Sequence, residues 1–100
     1  MSTELVKTER TIRTLFARMA NLGAMRPGTL SVQYRNPKEK KTPFNQLSYT
    51  HKSKSRSEYV RPENLTTVRM EVETYKKFRL LVDEITTLSL EASRLRHKRE

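Results

Sequence analysis

The chain has no cysteine and no tryptophan, and its 100 residues include only two glycines and two histidines. Without cysteine, disulfides, thiolate nucleophiles and cysteine-based zinc sites are all excluded, and a reducing compartment is expected. Gly23 and Gly28 cannot supply the spaced glycines of a phosphate-binding loop. His51 and His97 have no second histidine at ligand spacing, so the sequence predicts no metal site.

Long apolar runs are also missing. No stretch of 18 apolar residues occurs, and residues 1–10 lack the basic-then-apolar order of a secretory signal. We therefore expect a cytoplasmic protein that does not enter a membrane. Hydrophobic residues make up 34% and aromatic residues 7% of the chain, which is enough for one thin core and a single domain over residues 1–100.

No constellation of catalytic side chains is found. Asp83 and Glu84 are adjacent on a predicted helix and diverge, while Glu71 and Glu73 point to different sides, so neither pair can share acid and base roles. No nucleophile has a base at a useful spacing. We predict a non-enzymatic protein that needs no cofactor and takes no small-molecule substrate.

What the chain has in excess is positive charge. Lysine and arginine total 21 against 11 acids, which leaves a formal net charge of +10. Such a surface attracts polyanions, and nucleic acid is the commonest of them because approaching cations release its condensed counterions. The alternative is that the charge only keeps the protein dispersed in solution.

The first segment, residues 2–22, predicts an amphipathic helix. Its apolar stripe recurs every three or four residues, with Phe16 and Ala20 at its margin: Leu5, Thr8, Ile12, Leu15, Met19 and Leu22. Ser2 or Thr3 is placed to cap the helix, because a side-chain oxygen there can accept a free backbone N–H. Gly23 is expected to end it.

Residues 29–61 predict three antiparallel strands, since Leu30, Val32 and Tyr34 alternate with polar side chains. The next two strands are expected over residues 44–50 and 55–60. Residues 36–43 are bracketed by two prolines and predict an exposed loop. Residues 51–54 predict a hairpin turn, although it lacks the favoured Asn-Gly pair.

Four aromatic residues fall in this sheet. Tyr34, Tyr49 and Tyr59 occupy alternating positions, which favours burial of one sheet face against a helix. Phe44, next to Pro43, is expected to be the exposed ring. The alternative is that the rings stack on bases, as on single-strand-binding platforms.

Residues 62–97 predict one long helix, with Pro62 in its first turn. Its stripe continues without glycine or proline through Leu65, Val68, Val72, Tyr75, Phe78, Val82, Ile85, Leu88, Ala92 and Leu95. Part of the stripe should pack antiparallel on the first helix. Two interpretations stay open for the remainder, an intrachain core or a homodimer interface. The interface prediction covers Val72, Tyr75, Val82, Ile85, Leu88 and Leu95.

The middle of the chain concentrates the positive charge. Eight cations face only Glu39 and Glu58 over 27 residues, a net +6. The predicted nucleic-acid-binding residues are Arg35, Lys38, Lys40, Lys41, Lys52, Lys54, Arg56 and Arg61. Serine and threonine hydroxyls among them can bond to phosphate oxygens. Because these cations lie at strand ends and in loops, we expect them to reach outward together, although edge strands also carry cations to block aggregation.

Residues 25–35, 47–50 and 54–60, with the sequences MRPGTLSVQYR, LSYT and KSRSEYV, resemble a family of short prokaryotic proteins of unknown function found near transposases and other mobile-element genes. The resemblance continues through Val68, Tyr75 and the leucine-rich helix. Many members carry a cysteine-rich loop where this chain has residues 36–42, so no metal-linked role transfers. The resemblance implies a mobile-element or phage setting. A fold-level analogy, to the helix-backed three-stranded domains by which tyrosine integrases bind DNA, points the same way.

We therefore predict an α+β protein with an N-terminal helix, a three-stranded antiparallel sheet and a long C-terminal helix. Its predicted function is non-enzymatic binding of nucleic acid, DNA in preference to RNA. The competing prediction is a protein-interaction module, an adaptor or inhibitor that pairs through its long helix and matches its charge to an acidic partner.

Overall fold

A computed structural model, which describes residues 2–98, confirms the α+β class and the order of helix, antiparallel sheet and helix. The elements are α1 (Thr3–Ala20), β1 (Thr29–Asn36), β2 (Lys41–His51), β3 (Lys54–Val60), a short 3₁₀ helix (Pro62–Asn64) and α2 (Leu65–His97). The chain divides into two compact units. The sheet unit is Gly23–Lys76, and the helical unit combines the chain on either side of it.

Helix α1 begins where the sequence predicted. The backbone N–H of Leu5 donates to Ser2 Oγ at 3.0 Å, which makes Ser2 the N-cap. The helix ends at Ala20, with Asn21 as C-cap at φ −94°. The prediction that Gly23 ends the helix is therefore wrong, because Asn21 closes the last turn through its own N–H without a left-handed residue.

The helical unit has its core on the predicted stripes. Leu5, Thr8 and Leu15 of α1 are buried, as are Ile85 and Ala92 of α2. Thr8, the buried polar residue among them, has a hydrogen-bond partner, since its hydroxyl donates to the Glu4 carbonyl at 2.8 Å. The expected widening of the stripe is wrong, because Phe16 and Ala20 are exposed.

The two helices of this unit run antiparallel. Arg96, near the end of α2, donates to Glu9, near the start of α1, at 3.2 Å. A cavity at the same end is lined by Ser2 and Leu5 on one side and by Leu95 on the other. The pair is partly exposed, so it contributes little stability and mainly records the alignment of the helices.

The sheet is a meander with strand order β1, β2, β3. Leu47 in the central strand lies opposite Leu30 on one side and Glu58 on the other. Strand β1 pairs with β2 between Lys41 and Ser48, and β3 pairs with β2 between Asn45 and His51. Only Asn45–Ser48 of β2 therefore has a paired strand on both sides. The sheet is therefore three strands wide in its middle and two strands wide at each end.

Half of the predicted loop over residues 36–43 is strand, which corrects the sequence prediction. The turn comprises only residues 37–40, and β2 begins at Lys41. Pro43 pairs with Tyr34 inside the ladder. Proline is tolerated there because β3 has already ended, at the pair between Asn45 and Val60, so this part of β2 has a free edge.

The turn between β2 and β3 has positive φ at both central residues, 51° at Lys52 and 65° at Ser53. This is the conformation of a type I′ hairpin turn, whose twist matches that of the strands it joins. Neither residue is a glycine or asparagine, so the left-handed backbone here is strained.

The core of the sheet unit forms between the sheet and the first turns of α2. Leu47 (0% exposed), Val60 (5%) and Val72 (5%) form its centre, and the half-buried side chains around them are Leu30, Leu65 and Val68. Gly28 packs tightly against it, since a Cβ at this position would lie 2.6 Å from Leu47 Cδ1. Its φ of +145° also suits glycine alone.

Arg26 ties the segment before β1 onto this core. Its backbone N–H donates to the Glu71 carbonyl at 3.2 Å, and its guanidinium bonds to Glu58 at 2.6 Å. The same guanidinium lies 5.2 Å from the centre of the Tyr49 ring, a cation–π distance. One side chain thus links the interhelical segment to β2 and β3.

The predicted helix start at residue 62 is three residues early, because Pro62–Asn64 form a 3₁₀ helix and α2 begins at Leu65. The predicted end of α2 at His97 is confirmed. Every position of its predicted stripe is buried or half-buried. Within residues 2–98, no helix has the length and apolar character needed to span a membrane.

Candidate nucleic-acid interface

The register assigns each strand residue to one of two faces, because successive side chains alternate. The covered face contains Leu30, Leu47 and Val60 and packs on α2. The open face lies on the other side and consists of Thr29, Ser31, Gln33, Arg35, Phe44, Gln46, Ser48, Thr50, Ser55, Ser57 and Tyr59.

The open face carries two aromatic rings, which corrects the prediction that Tyr59 is core. Tyr59 is 57% exposed, whereas Phe44, predicted to be the exposed ring, is half-buried. The two ring centres lie 6.3 Å apart at a tilt of 51°. Because the buried Val60 points toward α2, its neighbour Tyr59 must point away. Tyr34 and Tyr49 are half-buried on the covered face, as expected.

Hydroxyl groups line the half of the open face nearest the β2–β3 turn. Ser48 and Ser57 are directly opposite each other with their Oγ atoms 3.5 Å apart. Thr50 and Ser55 form the next pair, at 3.3 Å. Each hydroxyl can donate or accept, so this half can bond to phosphate oxygens.

Amide side chains occupy the other half. Gln33 lies opposite Phe44, and Gln46 lies between Ser31 and Tyr59. The Gln33 amide donates to Ser31 Oγ at 3.1 Å, which orients it on the surface. Sequence reasoning missed these amides as candidate contacts. The signal was present, since fixing Leu47 as the inward residue of β2 assigns Gln46 to the outer face.

The predicted cations do not converge, contrary to the sequence analysis. The two turns lie at opposite ends of β2, which is 11 residues long; ten steps of about 3.4 Å per residue place them about 34 Å apart. The first cluster, at the β1–β2 turn, contains Arg35, Lys38, Lys40 and Lys41; the second, at the β2–β3 turn, contains Lys52 and Lys54. A meander separates successive turns in this way.

The remaining two predicted cations lie outside these clusters. Arg56 is opposite Tyr49 on the covered side of β3, an edge strand from which its exposed side chain extends. Arg61 follows Val60 and so lies toward the first cluster. Both are exposed.

The acids of this region are held by cations and lie off the open face. Glu39 pairs with Lys41 at 3.4 Å and accepts from the Asn36 amide at 3.2 Å. Glu58 is on the covered face, where it pairs with Arg26. Among the strand residues that the structure describes, the open face therefore contains no acid.

The predicted interface residues on α2 are largely covered by the chain itself. Val72 and Ile85 are buried, and the half-buried members are Tyr75, Val82, Leu88 and Leu95. More exposed apolar side chains occur elsewhere on the helix, at Leu80 (64%) and Leu90 (55%). A homodimer through α2 stays a prediction.

No group of three side chains suited to holding a metal ion occurs in the described part of the chain. The chain matches no protein-family model, no curated protein and no solved structure. The resemblance to the mobile-element family thus stays a prediction, and the case for a binding surface depends on the geometry above.

Proposed function

We propose that this protein binds nucleic acid, DNA in preference to RNA, with the open face of its sheet and the two flanking cation clusters, and that it carries out no catalysis. The observation that carries the proposal is an acid-free polar face lying between two basic turns. A polyanion along this face would meet positive charge at both ends and hydrogen-bonding groups between them.

The separation of the clusters suits a duplex. Their spacing of about 34 Å, from the length of β2 and a rise of about 3.4 Å per residue, is close to one helical turn of DNA, roughly 34 to 36 Å. Each cluster could then neutralise phosphates where the backbone returns to the same side of the duplex. Counterion release from these contacts would make the affinity strongly dependent on salt.

The cellular setting belongs to the same proposal. The resemblance to proteins found near transposases suggests an accessory factor of a mobile element or phage, acting on DNA in the cytoplasm. A protein that organises DNA for such an element needs affinity and positioning, and it needs no catalytic residues of its own.

The test is fluorescence anisotropy against labelled duplex DNA, single-stranded DNA and heparin across a salt series. The variant replaces three cations at the β2–β3 end: Lys52→Gln, Lys54→Gln and Arg56→Gln. A matched control removes the same charge from exposed positions of α1: Lys7→Gln, Arg10→Gln and Arg13→Gln. We expect the sheet variant to bind duplex more weakly, with a salt slope shallower by roughly 2 to 3, since each lost phosphate contact removes about 0.9.

Equal losses in the two variants would overturn the proposed site, because only total charge would then matter. Equal, weak binding to all three polyanions would favour the second candidate, a protein-interaction module. That candidate has its own observation: Leu80 and Leu90 of α2 are exposed apolar side chains, at 64% and 55%.

A further inference from the structure

The open face is chemically divided along its length, and the division suggests how a ligand would lie on it. The half toward Lys52 carries the paired hydroxyls of Ser48, Ser57, Thr50 and Ser55. The half toward the β1–β2 turn carries two amides and two rings: Gln33, Gln46, Phe44 and Tyr59. Hydroxyls beside cations suit phosphates, whereas primary amides can distinguish bases.

The outline of the sheet suits the major groove. Three strands overlap only over Asn45–Ser48, and each end narrows to a two-stranded ribbon. Gln33 and Phe44 lie on the two-stranded end formed by β1 and β2, and Gln46 lies where the third strand joins them. With strands about 4.8 Å apart, the two-stranded end fits a major groove about 12 Å wide and is too broad for a minor groove about 6 Å wide.

The spacing of the amides and the phenyl ring matches neighbouring base pairs. Gln33 is directly opposite Phe44, and cross-strand side chains begin about 5 Å apart. Gln46 is two residues along β2 from Phe44 on the same face, a distance of about 7 Å. Base pairs are stacked about 3.4 Å apart, so distances of about 5 and 7 Å between side chains correspond to one or two base-pair steps.

A glutamine amide forms a bidentate pair with adenine N6 and N7 in the major groove, and a phenyl ring contacts the thymine methyl group. We propose that Gln33, Gln46 and Phe44 recognise A·T base pairs from the major groove of duplex DNA. This inference rests on the proposed function and adds a ligand class to it. The hydrogen bond from Gln33 to Ser31 supports the assignment, because it holds one amide in place before a base arrives.

The experiment compares two labelled 20-base-pair duplexes of equal charge, one of A·T pairs and one of G·C pairs, at one salt concentration. We expect the wild-type chain to prefer the A·T duplex by roughly fivefold or more. Replacing adenine by 7-deazaadenine removes N7 from the major groove only, and it should abolish most of that preference. Replacing thymine by uracil removes the methyl group and should weaken binding less.

The protein-side test is the double variant Gln33→Ala and Gln46→Ala, with Ser89→Ala, an exposed residue of α2 outside the sheet, as its control. The double variant should lose most of the A·T preference while keeping the wild-type salt slope, and the control should keep the preference. Circular dichroism melts check that both variants fold. The 7-deazaadenine duplex tests the same contact with the protein unchanged.

Three results would overturn the inference. They are equal wild-type affinity for the two duplexes, a preference that survives 7-deazaadenine, and tighter binding to single-stranded DNA, which would indicate stacking on Phe44 and Tyr59. In each case salt-dependent binding at the basic turns could persist. Failure of the proposed function gives a different result, because the affinity for nucleic acid would then not depend on Lys52 and Lys54.

Discussion

The two faces of one sheet differ in almost every property except their backbone. On the covered face Leu47 is 0% exposed and Val60 5%, and the acid Glu58 is held by Arg26. On the open face Tyr59 is 57% exposed, and the side chains are hydroxyls, amides and rings. The covered face therefore supplies the stability, and the open face is left with side chains that stability does not require.

The sharpest contrast between the faces comes from neighbouring residues of β2. We expect Leu47→Ala to lower the free energy of unfolding by about 2 to 5 kcal/mol, because it removes a fully buried side chain and leaves a cavity. Ser48→Ala, on the open face, should change it by about 0.5 kcal/mol or less. Urea denaturation followed by circular dichroism measures both. Similar losses in the two variants would contradict the division into faces.

The two glycines give the next contrast. Gly28→Ala places a Cβ 2.6 Å from Leu47 and forces a residue with a side chain to φ +145°, so it should destabilise by about 1 to 3 kcal/mol. Gly23→Ala meets nothing within 4 Å and should be neutral or slightly stabilising. Thermal melts of the two variants compare them directly. A Gly28→Ala variant that melts at the wild-type temperature would show that Leu47 can move to make room for the added methyl group.

The smallest expected effect concerns the strained turn between β2 and β3. Replacing Lys52 by Asn and Ser53 by Gly should raise the free energy of unfolding by about 1 kcal/mol, since both replacements tolerate the left-handed backbone that a type I′ turn requires. The same double variant loses one cation of the second cluster, so its DNA-binding salt slope should fall by about 0.9.

Stability and affinity should therefore move in opposite directions at this turn. Thermal melts without DNA give the first quantity, and anisotropy gives the second. A variant that is both less stable and an unchanged binder would refute the type I′ geometry and the role of the turn together.

Periodicity predicted much of this fold. The stripes on α1 and α2 coincide with buried and half-buried positions, because a helix repeats its contacts every three or four residues whatever it packs against. The strand alternation was correct for β2, where Leu47 was placed with Asn45 and Tyr49 on one face. It was wrong about burial in β1, where Val32 lies on the same face and is 56% exposed.

The wrong predictions concern positions where strand pairing in the folded protein overrides a rule based on neighbouring residues. Two prolines indicated a loop over residues 36–43, yet Pro43 lies in β2 because only one neighbouring strand reaches it. Three tyrosines at alternating positions indicated one buried face, yet Val60 occupies the core and turns Tyr59 outward. Such outcomes depend on which strand pairs with which residue, and spacing along the chain does not encode that.

The element order, the helix stripes and the concentration of positive charge follow from the amino-acid sequence alone, because propensity, periodicity and composition act locally along the chain. Tertiary structure was needed to show that six of the eight predicted cations separate into two turns at opposite ends of β2, that the acids lie off the open face and that Gln33 and Gln46 share it with Phe44. The physical reason is the register. Pairing in an antiparallel meander separates successive turns and assigns each side chain to one face, and it is fixed by packing against α2.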